Sequence, residues 1–146
     1  MSKVRESIDI AAPVEEVFAF FDDVGNAPVL VADLIELTTV EELATGGRRV
    51  EYTTRNRAGG PVTASSEHVE RDPPRRTVTR NVQSGIETTS TREFVATTSS
   101  TTRVVATIEW SVPVKFVSGL VGAPLRGPFR RSLRASLESA KAAIEE

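Results

Sequence analysis

The sequence predicts an α+β domain: a curved, seven-stranded antiparallel sheet wrapped around one long C-terminal helix, with two short helices between the first and second strands. Three observations carry that expectation. The stretch Ser7–Phe21, SIDIAAPVEEVFAFF, changes period in its middle: Ile8 and Ile10 alternate with polar residues, then Val14, Val17, Phe18 and Phe21 recur at helical spacing. From Leu34 to Val112 the chain is rich in threonine and β-branched residues, with turn signals about every ten residues. Near the C-terminus, Leu125, Phe129, Leu133, Leu137, Ala140 and Ile144 recur every three or four residues as one amphipathic stripe.

The elements follow in order. Residues 3–10 read as the first strand. Pro13 suits the first turn of a helix, where its missing N–H costs nothing, and Glu15 and Glu16 favour the positive end of the helix dipole. Gly25, Asn26 and Pro28 end that helix near Asp22, and residues 26–33 add a short second helical turn. Six strands follow, at 34–43, 47–56, 61–71, 75–83, 86–97 and 101–112. The breaks between them (Ala44-Thr45-Gly46-Gly47, Arg57-Ala58-Gly59-Gly60-Pro61, Asp72-Pro73-Pro74, Ser84-Gly85 and Thr98-Ser99-Ser100) are short, so neighbours form antiparallel hairpins. In the closing helix, Gly122, Pro124, Gly127 and Pro128 predict a kink or an irregular entry. Arg126, Arg130, Arg131 and Arg134 lie largely off the apolar stripe and read as a solvated face. One helix buries its stripe on the sheet but cannot fill the whole concave face, so an internal cavity is expected.

Composition narrows the function. The 146 residues suit one domain spanning 1–146, with no linker or internal repeat. Hydrophobic and charged contents of 39% and 26% are ordinary for a globular chain, and a net charge of -2 makes no case for nucleic acid or an anionic membrane. There is no cysteine, hence no disulfide or thiolate chemistry. His68 is the one histidine, which excludes a multi-histidine metal centre, and no carboxylate loop motif appears. No long apolar region marks a signal peptide or membrane span, so a cytoplasmic location is the expectation. No nucleophile elbow, phosphate-cradling loop or dinucleotide-binding turn is present, so no cofactor is expected.

Hairpin parity orients the sheet. If Gln83-Ser84-Gly85 is a three-residue turn, Val82 pairs with Ile86. Even-numbered residues then share the inner face: Val78, Arg80 and Val82; Ile86, Thr88, Ser90, Arg92 and Phe94; Val104, Ala106, Ile108 and Trp110; and, working backwards, Val50, Tyr52, Ala64, Ser66 and His68. The candidate cavity residues are therefore Tyr52, Ser66, His68, Arg80, Thr88, Ser90, Arg92 and Trp110, joined by Phe129 and Leu133 from the helix. Two arginines on an inner face point to polar groups in the cavity and to an amphipathic ligand bearing a carboxylate, phenol or ketone oxygen. The competing reading sends Arg80 and Arg92 past the sheet rim, or pairs Arg92 with a carboxylate such as Glu41.

The opening SIDIAAPVEEVFAFF (alternating strand, Ala-Pro, then a helix with an acidic pair and Val-Phe) and the closing LRGPFRRSLRASLESAKAAIEE resemble the START-like, birch-pollen-allergen-like (SRPBCC) superfamily. Within it the chain is similar to the polyketide cyclase/dehydrase and lipid-transport group. The resemblance implies a helix-grip fold across the whole chain. Members often carry a tryptophan in the loop after the first helices; here NAPVLVADLIEL has none. The first functional reading is binding or transport of a small hydrophobic or amphipathic molecule between sheet and last helix. The second is a cyclase/dehydrase-type enzyme, with Arg80 and Arg92 polarising a carbonyl and His68 or Tyr52 moving protons. The third is a regulatory partner-binding module, for instance a homodimer, with an incidental cavity.

Overall fold

The computed structural model describes residues 2–31, 34–43, 47–55, 59–83, 85–111 and 122–146. The element order is β1 (Ser2–Ile10), α1 (Val14–Asp22), a 3-10 turn (Val24–Asn26), α2 (Ala27–Leu30), β2 (Leu34–Glu42), β3 (Arg48–Arg55), β4 (Pro61–Asp72), β5 (Arg76–Gln83), β6 (Ile86–Thr98), β7 (Thr101–Trp110) and α3 (Gly122–Glu145). The seven strands form one antiparallel sheet in the order β1-β7-β6-β5-β4-β3-β2. The expected turn centres at 44–46, 57–58 and Ser84, and the expected strand end at Val112, lie outside the described residues.

The strand-to-helix joint forms as its period change implies. The Pro13 carbonyl accepts from the Glu16 and Val17 amides at 3.1 and 3.0 Å, so α1 starts one residue after the proline. Val17, Phe18 and Phe21 are buried on its inner face. Phe18 and Phe21 each meet Phe94 of β6 edge to face, with ring centroids 5.2 and 5.6 Å apart. Thr102 of β7 is fully buried, and its hydroxyl donates to the Ala12 carbonyl at 2.9 Å, which satisfies the backbone at the joint.

The long helix runs from Gly122 to Glu145 with Pro128 inside it, while the residues leading into it, where an irregular entry is expected, lie outside the described residues. A proline removes one helical hydrogen bond. The stripe Leu133, Leu137 and Ala140 is buried against Val4, Ile10, Val104, Ala106 and Trp110, and that contact outweighs one lost bond. Part of the arginine face does more than meet solvent. Arg126 donates to the Lys3 carbonyl at 2.8 Å, Arg134 to the Ser7 carbonyl at 3.0 Å and Lys141 to the Asp9 carbonyl at 2.8 Å. These side chains cover outward carbonyls of β1, an edge strand.

The register corrects the expected facing of β5. Gln83 pairs with Ile86, so the hairpin closes over two residues and not three. Gly85 takes φ +75 there, the left-handed conformation such turns need. Shortening a turn by one residue reverses every side chain of the strand. Thr77, Thr79, Asn81 and Gln83 therefore face inward, while Val78, Arg80 and Val82 face outward; Val82 is 41% exposed. The even residues of β6 and β7 do share the inner face: Thr88 pairs with Trp110, Ser90 with Ile108, Arg92 with Ala106 and Phe94 with Val104. A second irregularity lies in β4, where the register shifts between His68 and Glu70. This bulge at Val69 brings both His68 and Arg71 to the inner side.

Candidate functional site

The concave face is hollow. One chamber, about 170 Å³, lies under α1 and α2 and is lined by Phe21, Asp22, Arg48, His68, Asn81 and Arg92 among others. A larger hollow of about 490 Å³ opens between the sheet and α3, against Ala106, Ile108, Phe129 and Leu133. A third, about 180 Å³, lies between Ile86, Leu125 and Phe129. Tyr52 and Asn81 line all three, and Ser90 and Arg92 line the first two, so these hollows adjoin across shared walls.

Of the candidates read from the sequence, Tyr52, Ser66, His68, Thr88, Ser90, Arg92, Phe129 and Leu133 border these hollows. Arg80 does not. It lies on the outer face and pairs with Glu87 at 3.2 Å, because the shorter β5–β6 turn reverses its strand. Trp110 is 2% exposed and stands behind the wall, meeting Phe129 edge to face with centroids 4.8 Å apart. Its indole N–H is buried without a hydrogen-bond partner.

Arg92 is the unusual member. Its guanidinium lies 5.1 Å from the centre of the Phe21 ring, a cation-π contact. Among the described residues no carboxylate lies within ion-pair distance of it, and the Glu41 pair entertained above does not form. Burial pulls its pKa below the usual arginine value, yet an arginine stays protonated in a protein. The side chain is half-buried, and a cation drawn partly out of water without a partner is costly.

Beside it runs a belt of neutral polar groups. Ser66 Oγ donates to Asn81 Oδ1 at 2.7 Å and is bonded to Tyr52 Oη at 3.3 Å. Asn81 Nδ2 donates to Ser90 Oγ at 2.9 Å and to Thr88 Oγ1 at 3.3 Å. Gln83 Nε2 donates to Thr54 Oγ1 at 2.8 Å. Asn81 is the hub, and the sequence reading missed it because the assumed turn placed it outside. A two-residue Ser-Gly turn was the signal that could have found it.

The α1–α2 end of the cavity is charged. Arg71 donates to both carboxylate oxygens of Asp22, at 3.0 and 2.8 Å. Arg48 donates to the Asp22 backbone carbonyl at 2.6 Å, a cation at the C-terminus of α1. These three residues were also missed; they come from α1, β3 and β4 and meet only in the fold. Arg71, and secondarily Arg48 and His68, hold the Asp22 carboxyl below its usual range, against the opposing effect of burial. A carboxyl lowered on folding contributes stability that is present above its unfolded value of about 4 and lost as pH falls through its folded value. Asp22→Asn is therefore expected to flatten the acid limb of the stability curve below about pH 4. Urea midpoints measured from neutral to strongly acidic pH check this. Asp9 and Glu145 are lowered in the same way by Arg103 and Lys141 and keep part of the slope.

Burial is the main force lowering the His68 pKa, with the positive charge of Arg48 next, while Asp22 opposes them. The imidazole is thus neutral at neutral pH, and its buried Nδ1 has no hydrogen-bond partner. Gly47 packs on the same residue's backbone: a Cβ there would collide with the His68 carbonyl oxygen. Gly47→Ala is expected to cost about 1–3 kcal/mol by overpacking. Its urea midpoint, and the amide shifts of residues 66–70, report the effect.

The described residues contain no group of three or more His, Cys, Asp or Glu placed to hold a metal. None of their helices is long and apolar enough to cross a membrane. In comparisons with solved structures, the chain superposes on the protein TTHA0849 of Thermus thermophilus with TM-score 0.79 and 19% identity, covering 98% of this chain and 97% of that one. It superposes on the ZhuI aromatase/cyclase of a Streptomyces species with TM-score 0.78 and 18% identity, covering 99% and 93%. The di-domain aromatase/cyclase StfQ of the steffimycin biosynthetic pathway gives TM-score 0.72 and 19% identity, over 98% of this chain and 50% of that one. At such identities these likenesses speak for the fold alone. Among curated proteins, none matches the sequence at a significant level. The model of the family described as polyketide cyclase/dehydrase and lipid transport matches residues 1–145. With the match covering nearly the whole chain, this protein belongs to the polyketide cyclase/dehydrase and lipid-transport family.

Proposed function

We propose that the protein binds a small amphipathic molecule between the sheet and α3, with an oxygen of the ligand held by Arg92. The observation that carries this reading is the guanidinium itself: it borders two adjoining hollows, it has no carboxylate partner among the described residues, and the large hollow has an apolar wall of Ala106, Ile108, Phe129 and Leu133. A ligand oxygen would supply the charge-assisted hydrogen bonds that the fold withholds. The apolar body of the ligand would lie against α3, where burial of its surface is favourable. Family membership supports a ligand-binding role at this level. Calorimetric titration with fatty acids and with hydroxylated aromatic ketones tests the proposal. Saturable binding by members of either series supports it; absence of binding by both counts against it.

A second reading is cyclase/dehydrase-type chemistry. It is favoured by the presence of His68 and Tyr52 on the chamber that Arg92 borders, and by the aromatase/cyclases among the proteins of like fold. Arg92 would polarise a carbonyl and stabilise enolate-like oxygen, while His68 or Tyr52 moves a proton. Arg80 has no part in it, since it faces outward. A pH–rate profile on a polyketone substrate whose inflection disappears in His68→Gln supports this reading; unchanged turnover in that variant removes His68 from it.

A further inference from the structure

We propose that the chamber under α1 and α2 is a head-group subsite for a carboxylate, so that the ligand is a monocarboxylic acid seated head-first, its acid group on Arg48 and His68 and its apolar body against α3. This deepens the binding reading above and rests on it. The chamber is lined by Arg48, His68 and Arg92, and by the carboxylates Asp22 and Asp23. Both carboxylates are already engaged. Both oxygens of Asp22 accept from Arg71 and one of them lies 3.9 Å from Arg48, a long ion pair, while Asp23 is exposed at the rim and accepts from the Gly25 amide at 2.8 Å. Arg48 spends one terminal nitrogen on the Asp22 carbonyl, and its Nε is buried with no partner. His68 Nδ1 is buried with no partner in the same chamber. Buried polar nitrogens left unpaired are rare and costly, so two on residues that line one hollow point to a missing partner there. A neutral ketone oxygen offers lone pairs to one or two donors. A carboxylate has two oxygens and about four acceptor sites, which matches Arg48 Nε, His68 Nδ1 and the adjacent Arg92 guanidinium. The neutral His68 can serve as a donor through its Nδ1–H tautomer.

The test is calorimetric titration of the wild-type protein with decanoic acid, methyl decanoate and decanol at neutral pH. The acid is expected to bind roughly tenfold to hundredfold tighter than the ester or the alcohol, as charged hydrogen bonds require. His68→Gln and Arg48→Gln are each expected to narrow that preference by weakening acid binding more than ester binding. Circular dichroism confirms that each variant is folded, and His68→Gln carries the test if Arg48→Gln is not. Equal affinity for acid, ester and alcohol overturns the carboxylate subsite and leaves the cavity reading standing. A preference for the acid that survives in His68→Gln overturns the assignment of His68. Binding of none of the three probes overturns the subsite and counts against the cavity reading as well.

Discussion

An Arg92→Leu variant is expected to lose affinity for an oxygen-bearing amphipathic probe by roughly tenfold to hundredfold, and to be as stable as the parent or more so. The two halves of that result come from one fact. Arg92 is a cation set against Phe21 and two hollows, with no carboxylate within ion-pair distance among the described residues. Its cation-π contact with Phe21 contributes about 0.5–2 kcal/mol, and partial desolvation of the half-buried, unpaired charge offsets it. Leucine keeps some of the packing volume and removes the charge. A structural arginine behaves oppositely: removing it lowers stability and leaves binding unchanged. Arg80→Leu is the control, since Arg80 forms an exposed pair with Glu87, and such pairs are worth about 0–1 kcal/mol. Calorimetric titration and urea denaturation of the parent and the two variants separate the cases.

Trp110→Ala is expected to destabilise the fold by about 3–5 kcal/mol, a fall in Tm on the order of 10 °C. Trp110 is among the largest fully buried side chains, and it supports Phe129, which forms part of the cavity wall. Its alanine variant leaves a void that collapse of α3 cannot fill without moving Phe129. Trp110→Phe is expected to cost much less than the alanine change. It loses volume but also removes the buried indole N–H, which has no partner and therefore carries a desolvation penalty. Thermal unfolding of the two variants checks both magnitudes. Equal losses would contradict the packing account, because phenylalanine keeps much of the ring volume that alanine gives up.

The elements were legible in the sequence because local chemistry decides them. Gly-Gly, Pro-Pro and Ser-Ser breaks bound strands whose observed ends lie within two residues of the expected ones. The Pro13 joint and the α3 stripe were equally local. Which way a strand faces is more fragile, because it depends on whether a hairpin closes over two residues or three. That single residue placed Arg80 outside and Asn81 inside. The bulge at Val69 was illegible for a related reason: nothing in His68-Val69-Glu70 marks an extra residue, yet it turns Arg71 inward. The charged end of the cavity could not be read at all. Asp22, Arg48 and Arg71 are dispersed along the chain, and only the packing of α1 on the sheet brings them together.

The central claim is that the space between the sheet and α3 holds a small molecule. Native mass spectrometry of protein purified without detergent, followed by denaturation and extraction, addresses it most directly. The account predicts a mass increment that disappears on denaturation, with a small amphipathic molecule recovered in the extract and the increment lost or sharply reduced in Arg92→Leu. A clean apo mass, together with no thermal shift across a panel of fatty acids and aromatic polyketides, would contradict it.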